Sequence, residues 1–243
     1  MRKTALVTGG AKGIGRGIGL DLAARGYDVA FCYRTSDQEA KQTAVDVEKC
    51  GARALAVRAD VSDPRQVDAL FDEVNRSLGA PHTLVHCVGP YHRVDILKET
   101  PEGWRDMFAT NLDSFFYCAR AAAPKMIAAK SGRMIAFSMA NAERLSAQPN
   151  ITGHYIAKVG VVLLVRTLAK SLAPHGITVN AISPGFIASG SAPDEELEKV
   201  VKNIPAGYVG TVEDAVLAAR HLLSDDARYT TGTNVILSGG WGL

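Results

Sequence analysis

The chain has 243 residues, 47% apolar and 21% charged, with a formal net charge of +2. That length can bury a full core, so one domain over 1–243 is the economical reading, and so weak a charge points to neither a nucleic-acid nor a membrane surface. No apolar run nears the roughly 18 residues of a membrane span, and neither the four cysteines (Cys32, Cys50, Cys87, Cys118) nor the six histidines show metal-binding spacing, so a reduced, cytoplasmic protein without a metal is expected.

The opening MRKTALVTGG carries two basic residues and a short apolar run that stops at a glycine loop. It reads as a first strand, Thr4–Thr8, rather than a signal peptide. Further strands are expected at Asp28–Tyr33, Ala52–Ala59, Thr83–Gly89, Arg133–Ser138, Thr178–Ser183 and Asn234–Gly239. Most are continuously apolar, as strands covered on both faces are. Helix starts lie between them. Asp63-Pro64 and Thr100-Pro101 each set a cap residue before a proline, and Thr211 with Asp214 resembles a capping box. Seven strands with helical crossovers predict an α/β fold, a seven-stranded parallel sheet with helices on both faces. The stretch SGSAPDEE, Ser189–Glu196, reads either as part of a substrate lid around 187–205 or as a surface loop.

The first strand runs into TGGAKGIGRGIG, Thr8–Gly19, and a helix follows. Glycines at such a turn let backbone approach a pyrophosphate, which the helix N-terminus then stabilises. The end of the second strand discriminates between cofactors. An acid there would bond a ribose 2′-hydroxyl and favour NAD. Here it reads Tyr33-Arg34-Thr35-Ser36. Arg34 can pair with a 2′-phosphate and Lys12 adds a second positive charge, so NADP is expected.

With these residues in hand, the chain resembles the short-chain dehydrogenase/reductase family over essentially its whole length. TGGAKGIG is similar to that family's cofactor loop, with Thr8, Gly9, Gly13, Ile14 and Gly15 in it. Asp60-Val61 resembles its adenine-contacting pair, Asn111 its catalytic asparagine, and Ser183-Pro184-Gly185-Phe186-Ile187 its nicotinamide-side segment. The resemblance implies a single-domain Rossmann fold, a homotetramer packed through the helices Ser114–Lys130 and Gly160–Ala173, and hydride exchange between a nicotinamide and a carbonyl or alcohol. The nearest general likeness is to 3-oxoacyl-thioester reductases, which implies an acyl-thioester or other small-molecule substrate. It also implies that Lys158 binds the nicotinamide ribose.

The departures concern the chemistry. Where the family has NNAG, this chain has His86-Cys87-Val88-Gly89, retaining only Gly89. The family's Tyr-x3-Lys motif, counted back from Lys158, falls on His154, with Tyr155 one position late. Its serine falls on Met139, with Ser138 one position early. Ser138–Lys158 also resembles the matching loop of enoyl-thioester reductases, but their Tyr-x6-Lys places the tyrosine at Ile151.

Hydride addition to a carbonyl develops an alkoxide that needs a proton donor. Three candidates stand out. His154 titrates near neutrality, although Lys158 would repel its charged form. Tyr155 carries the right group but is turned by about 100° on a helix. Ser138 would need a one-residue slip. Tyr91, Tyr117 and water remain as others. A carbonyl reductase leads, with enoyl-thioester reduction or a regulator that has lost its chemistry as alternatives.

Overall fold

The computed structural model describes residues 2–190 and 194–242. Its first strand, β1 (Thr4–Thr8), is buried at all five positions. Alternate side chains enter opposite cores, as the two-residue strand period demands: Leu6 goes to one, Ala5 and Val7 to the other. The remaining strands of the main sheet are β2 (Asp28–Tyr33), β3 (Ala54–Arg58), β4 (Pro81–His86), β5 (Gly132–Phe137), β6 (Ile177–Pro184) and, after two short strands given below, β9 (Asn234–Leu237). All pair in parallel, in the order β3-β2-β1-β4-β5-β6-β9. The expected seven-stranded α/β sandwich is therefore present.

The helices are α1 (Gly13–Ala24), α2 (Asp37–Lys49), α3 (Pro64–Ser77), α4 (Pro101–Phe108), α5 (Ser114–Ala129), α6 (Thr152–Leu172), α7 (Asp194–Val201) and α8 (Val212–Leu222). One core lies under α3, α5 and α6, where Phe71, Phe115 and Val161 are buried. The other lies under α1, α2 and α8, with Ile18, Val47 and Leu222. Each such side chain contributes about 1.5–3 kcal/mol on burial. The anticipated caps are in place. The Asp63 side chain accepts from the Arg65 amide, that of Thr100 from the Gly103 amide, and Thr211 with Asp214 forms a reciprocal capping box.

Most strand boundaries shift by one to three residues from the sequence reading, and two short strands are new. The third strand is shorter than Ala52–Ala59 at both ends. The fourth ends at His86 rather than Gly89; the Cys87 amide still donates to the Thr8 carbonyl at 3.2 Å, and Gly89 lies beside Lys158. Two short strands, β7 (Ile187–Ala188) and β8 (Gly210–Thr211), pair with each other outside the main sheet. They brace part of the expected lid; its residues Ser191–Pro193 lie outside those described.

Strand order reverses between β1 and β4, and a ligand crevice opens at the carboxyl ends of strands at such a point. His86 ties it together. Its Nδ1 lies 2.9 Å from Thr8 Oγ1 on β1, and its Nε2 lies 3.0 Å from Ser114 Oγ on α5. The Ser114 hydroxyl donates to the Thr110 carbonyl at 2.8 Å, so Nε2–H must donate to Ser114 and Nδ1 must accept from Thr8. Burial first, then the Lys158 charge, depresses the His86 pKa from 6.5 to about 3. This neutral histidine contributes stability that is whole above its unfolded value and is lost as pH falls toward 3. The slope from this one group is about 1.4 kcal/mol per pH unit. Urea unfolding at pH 5 and 6 should show that slope reduced by about this amount in His86→Asn; an unchanged slope would contradict the assignment.

Candidate active site

The site is assembled where three chain segments meet at the carboxyl edge of the sheet. The first is the glycine loop between β1 and α1. A Cβ on Gly15 would collide with the Gly9 carbonyl, so only glycine lets the helix start this close to the strand end. Lys12 caps α1 with extended backbone. Beside the loop lies a cavity of about 320 Å³ whose walls include Gly9, Lys12, Arg34, Asp60, Val61 and Pro90. The sequence-predicted adenine and 2′-phosphate residues thus share one hollow. Arg34 is exposed, with its guanidinium 3.5 Å from the Asp60 carboxylate. Burial works against ionisation of Asp60, but bonds from Ser62 and the nearby Arg34 outweigh it and hold the carboxyl below its usual range.

The second segment is the turn after β4. A Cβ on Gly89 would stand 2.5 Å from Lys158 Nζ and 3.0 Å from Asn111 Oδ1. Any other residue would push the two apart, which gives Gly89 a steric role of its own. Asn111 lies in a π-helical turn, Ala109–Asp113, between α4 and α5. Its Nδ2 donates to the Met107 and Pro90 carbonyls, each at 3.0 Å, while Oδ1 is buried without a partner. The π turn leaves the amide nitrogen holding both its own helix and the Gly89-Pro90 turn. It leaves the oxygen as a free acceptor near the lysine.

The third segment is the start of α6. Lys158 is 4% exposed, and Nζ donates to the Phe137 carbonyl at the end of β5 at 2.8 Å. Burial lowers its pKa from 10.5 to about 8, so it remains an ammonium at neutral pH. His154 lies one turn earlier, 9% exposed. Burial first and the Lys158 charge second lower its pKa to about 4. The nearby Pro90 backbone offsets this only in part. The Nδ1 is buried without a partner. The geometry brings together Lys158, Asn111, His154 and Gly89.

It does not bring in two of the sequence candidates. The Tyr155 hydroxyl donates to the Asn141 carbonyl and accepts from the Ser146 amide, both at 3.0 Å, which commits it to the loop between β5 and α6. Ser138 Oγ donates to the Lys158 carbonyl at 2.7 Å, locking α6 to the strand end. A feature missed in the sequence reading borders the site. The Val94 and Ile96 amides donate to the Asn150 and Pro149 carbonyls at 2.9 Å, stitching the loop after β4 to the loop before α6. His92 and Glu99, 2.7 Å apart, close the base of the first loop. On the opposite side Pro184 ends β6, and the Gly185 amide donates to the Leu237 carbonyl at 2.8 Å. Ile187 follows in β7, and Ser189 approaches Gly13, where a Cβ would lie 3.3 Å from the Ser189 carbonyl oxygen. Among the described residues there is no cluster of three potential metal ligands. If Tyr155 serves the loop, Tyr155→Phe should lose roughly 1–2 kcal/mol, about 2–8 °C in Tm, by calorimetry, because two backbone groups lose their partner.

Comparison with known proteins agrees with this architecture. A family model described as Enoyl-(Acyl carrier protein) reductase matches residues 9–242. The 3-oxoacyl-[acyl-carrier-protein] reductase FabG of Staphylococcus aureus (strain Mu50 / ATCC 700699) is 34% identical, the alignment covering 99% of this chain and 98% of the relative. The 3beta-hydroxysteroid dehydrogenase 1 of Eggerthella lenta is also 34% identical, covering 98% and 93%. A short-chain type dehydrogenase/reductase from Mycobacterium marinum superposes with a TM-score of 0.92 at 30% identity, over 98% of this chain and 95% of that one. Acetoin dehydrogenase YohF of Salmonella typhimurium gives 0.91 at 28%, over 99% and 96%. By sequence and by fold, the chain belongs to the short-chain dehydrogenase/reductase family of oxidoreductases.

Proposed function

We propose that this protein is an NADPH-dependent reductase of ketones, with 3-oxoacyl thioesters as the preferred substrate class and a proton donor other than the family's tyrosine. One observation carries the reading: a buried ammonium, Lys158, faces an unpaired amide oxygen, Asn111 Oδ1, over a glycine at the strand-order switch. That pair can hold a ribose hydroxyl or a water in a dry site, where electrostatic contacts are strongest. The names of the Staphylococcus and Eggerthella relatives support a carbonyl–alcohol interconversion.

The residues fit the implied cofactor. The Gly9–Gly15 loop leaves room for a pyrophosphate, the cavity beside it suits an adenosine, and Pro184, Gly185 and Ile187 border the nicotinamide side. When bound, the reduced cofactor supplies hydride. Lys158 then contributes positive charge near the developing oxyanion and Asn111 an acceptor that orients its neighbours. Arg34 and Lys12 supply the charge that selects a 2′-phosphate. Exposed apolar side chains on α5 (Phe116) and α6 (Leu163) support a homotetramer packed through those helices. Among the described residues no helix is long and apolar enough to cross a membrane. The cysteines are free, and burial raises the thiol pKa of Cys32 to about 12. We propose a cytoplasmic location on this basis.

Arg34→Ala should weaken NADPH binding roughly 10- to 100-fold, the worth of a charge-assisted contact, while NADH changes less than about threefold. Equal losses for both would remove the basis for NADPH preference. The function itself is tested with 4-deuterated NADPH and a mixture of 3-oxoacyl and 2-enoyl thioesters, followed by mass spectrometry. A deuterated 3-hydroxy product is expected. A deuterated saturated product would instead indicate enoyl reduction, which draws less on a side-chain acid; label in neither, with tight NADPH binding, would leave a regulator.

A further inference from the structure

The geometry points to Tyr91, on the loop after β4, as the residue that protonates the substrate oxygen. This inference rests on the ketoreductase reading above and names the donor that reading leaves open. Of the three donors singled out in the sequence, both hydroxyls are committed. Tyr155 donates to Asn141 and Ser138 donates to Lys158, while burial and the Lys158 charge keep the His154 imidazole neutral. Tyr91 differs from these. Its ring packs against His154 with centroids 5.7 Å apart, and it is 61% exposed. No hydrogen bond occupies its hydroxyl among the described residues.

Its position is also held. The preceding residue, Pro90, accepts a bond from Asn111, so the backbone that carries Tyr91 is pinned to a residue that borders Lys158. The loop beyond is stitched to Pro149-Asn150. The phenol thus stands two residues from Gly89, on backbone held beside the Lys158 pocket and against the His154 ring.

The step balances simply. A bound reduced nicotinamide would supply the hydride that adds to the carbonyl carbon, with the C=O π pair moving onto oxygen. The Tyr91 O–H breaks as that oxygen takes its proton, and the tyrosinate is reprotonated from solvent. A phenol is a stronger acid than an aliphatic alcohol, so transfer to the developing alkoxide runs downhill without an adjacent activating lysine.

The test compares wild type with Tyr91→Phe, which keeps the ring against His154 and removes one oxygen. With NADPH and acetoacetyl-coenzyme A, kcat for 3-hydroxy product should fall roughly 100-fold or more, with NADPH affinity unchanged. Calorimetry with 3-hydroxybutyryl-coenzyme A and no added cofactor should show binding weakened about three- to tenfold, the worth of one lost hydrogen bond. Product formation within threefold of wild type, or unchanged 3-hydroxy thioester binding, would overturn the donor role alone. Absence of 3-hydroxy product from the wild type would overturn the ketoreductase reading and the donor role with it.

Discussion

One buried ammonium organises the functional end of this molecule. Lys158 sits in a place where charge is costly, and it is tolerated because a strand-end carbonyl accepts from it and a glycine makes room beside it. The surrounding arrangement follows from housing that charge. His86 and His154 both stay neutral, in part because they share its neighbourhood. Ser138, through the Lys158 carbonyl, fixes where α6 begins relative to β5. The end of β4 departs from the sheet at the residue where the chain must pass the lysine.

The second constraint is a shift of one residue. The tyrosine that relatives would be expected to place four positions before the lysine is here displaced by one, and a helix converts that displacement into a large change of direction. Tyr155 therefore points into the loop before its helix and becomes a structural clamp with two backbone partners.

Much of this was legible in the chain. The strands declare themselves by unbroken apolar runs, and the helix starts by Asp-Pro, Thr-Pro and the Thr211–Asp214 pair, because those signals are local. Lys158, Asn111 and Gly89 were found by motif order, and the structure sets Lys158 and Asn111 both against Gly89. What escaped was whatever depends on the path of a loop. The commitments of Tyr155 and Ser138 are set by where the segment Ser138–Ile151 runs. Two-residue strands such as β7 and β8 are too short to leave a periodic pattern, and the tail of the fourth strand kept its apolar character while its backbone turned toward a tertiary partner.

The stitching of the loop after β4 to the loop before α6 has a consequence for how this site can diversify. Val94 and Ile96 hold Asn150 and Pro149 through main-chain atoms only, so side chains on both loops are free to vary while the loops themselves behave as one wall. An insertion or deletion in either would break the register of that seam and displace the other. The shape of this wall is thus a joint property of two segments more than fifty residues apart in sequence.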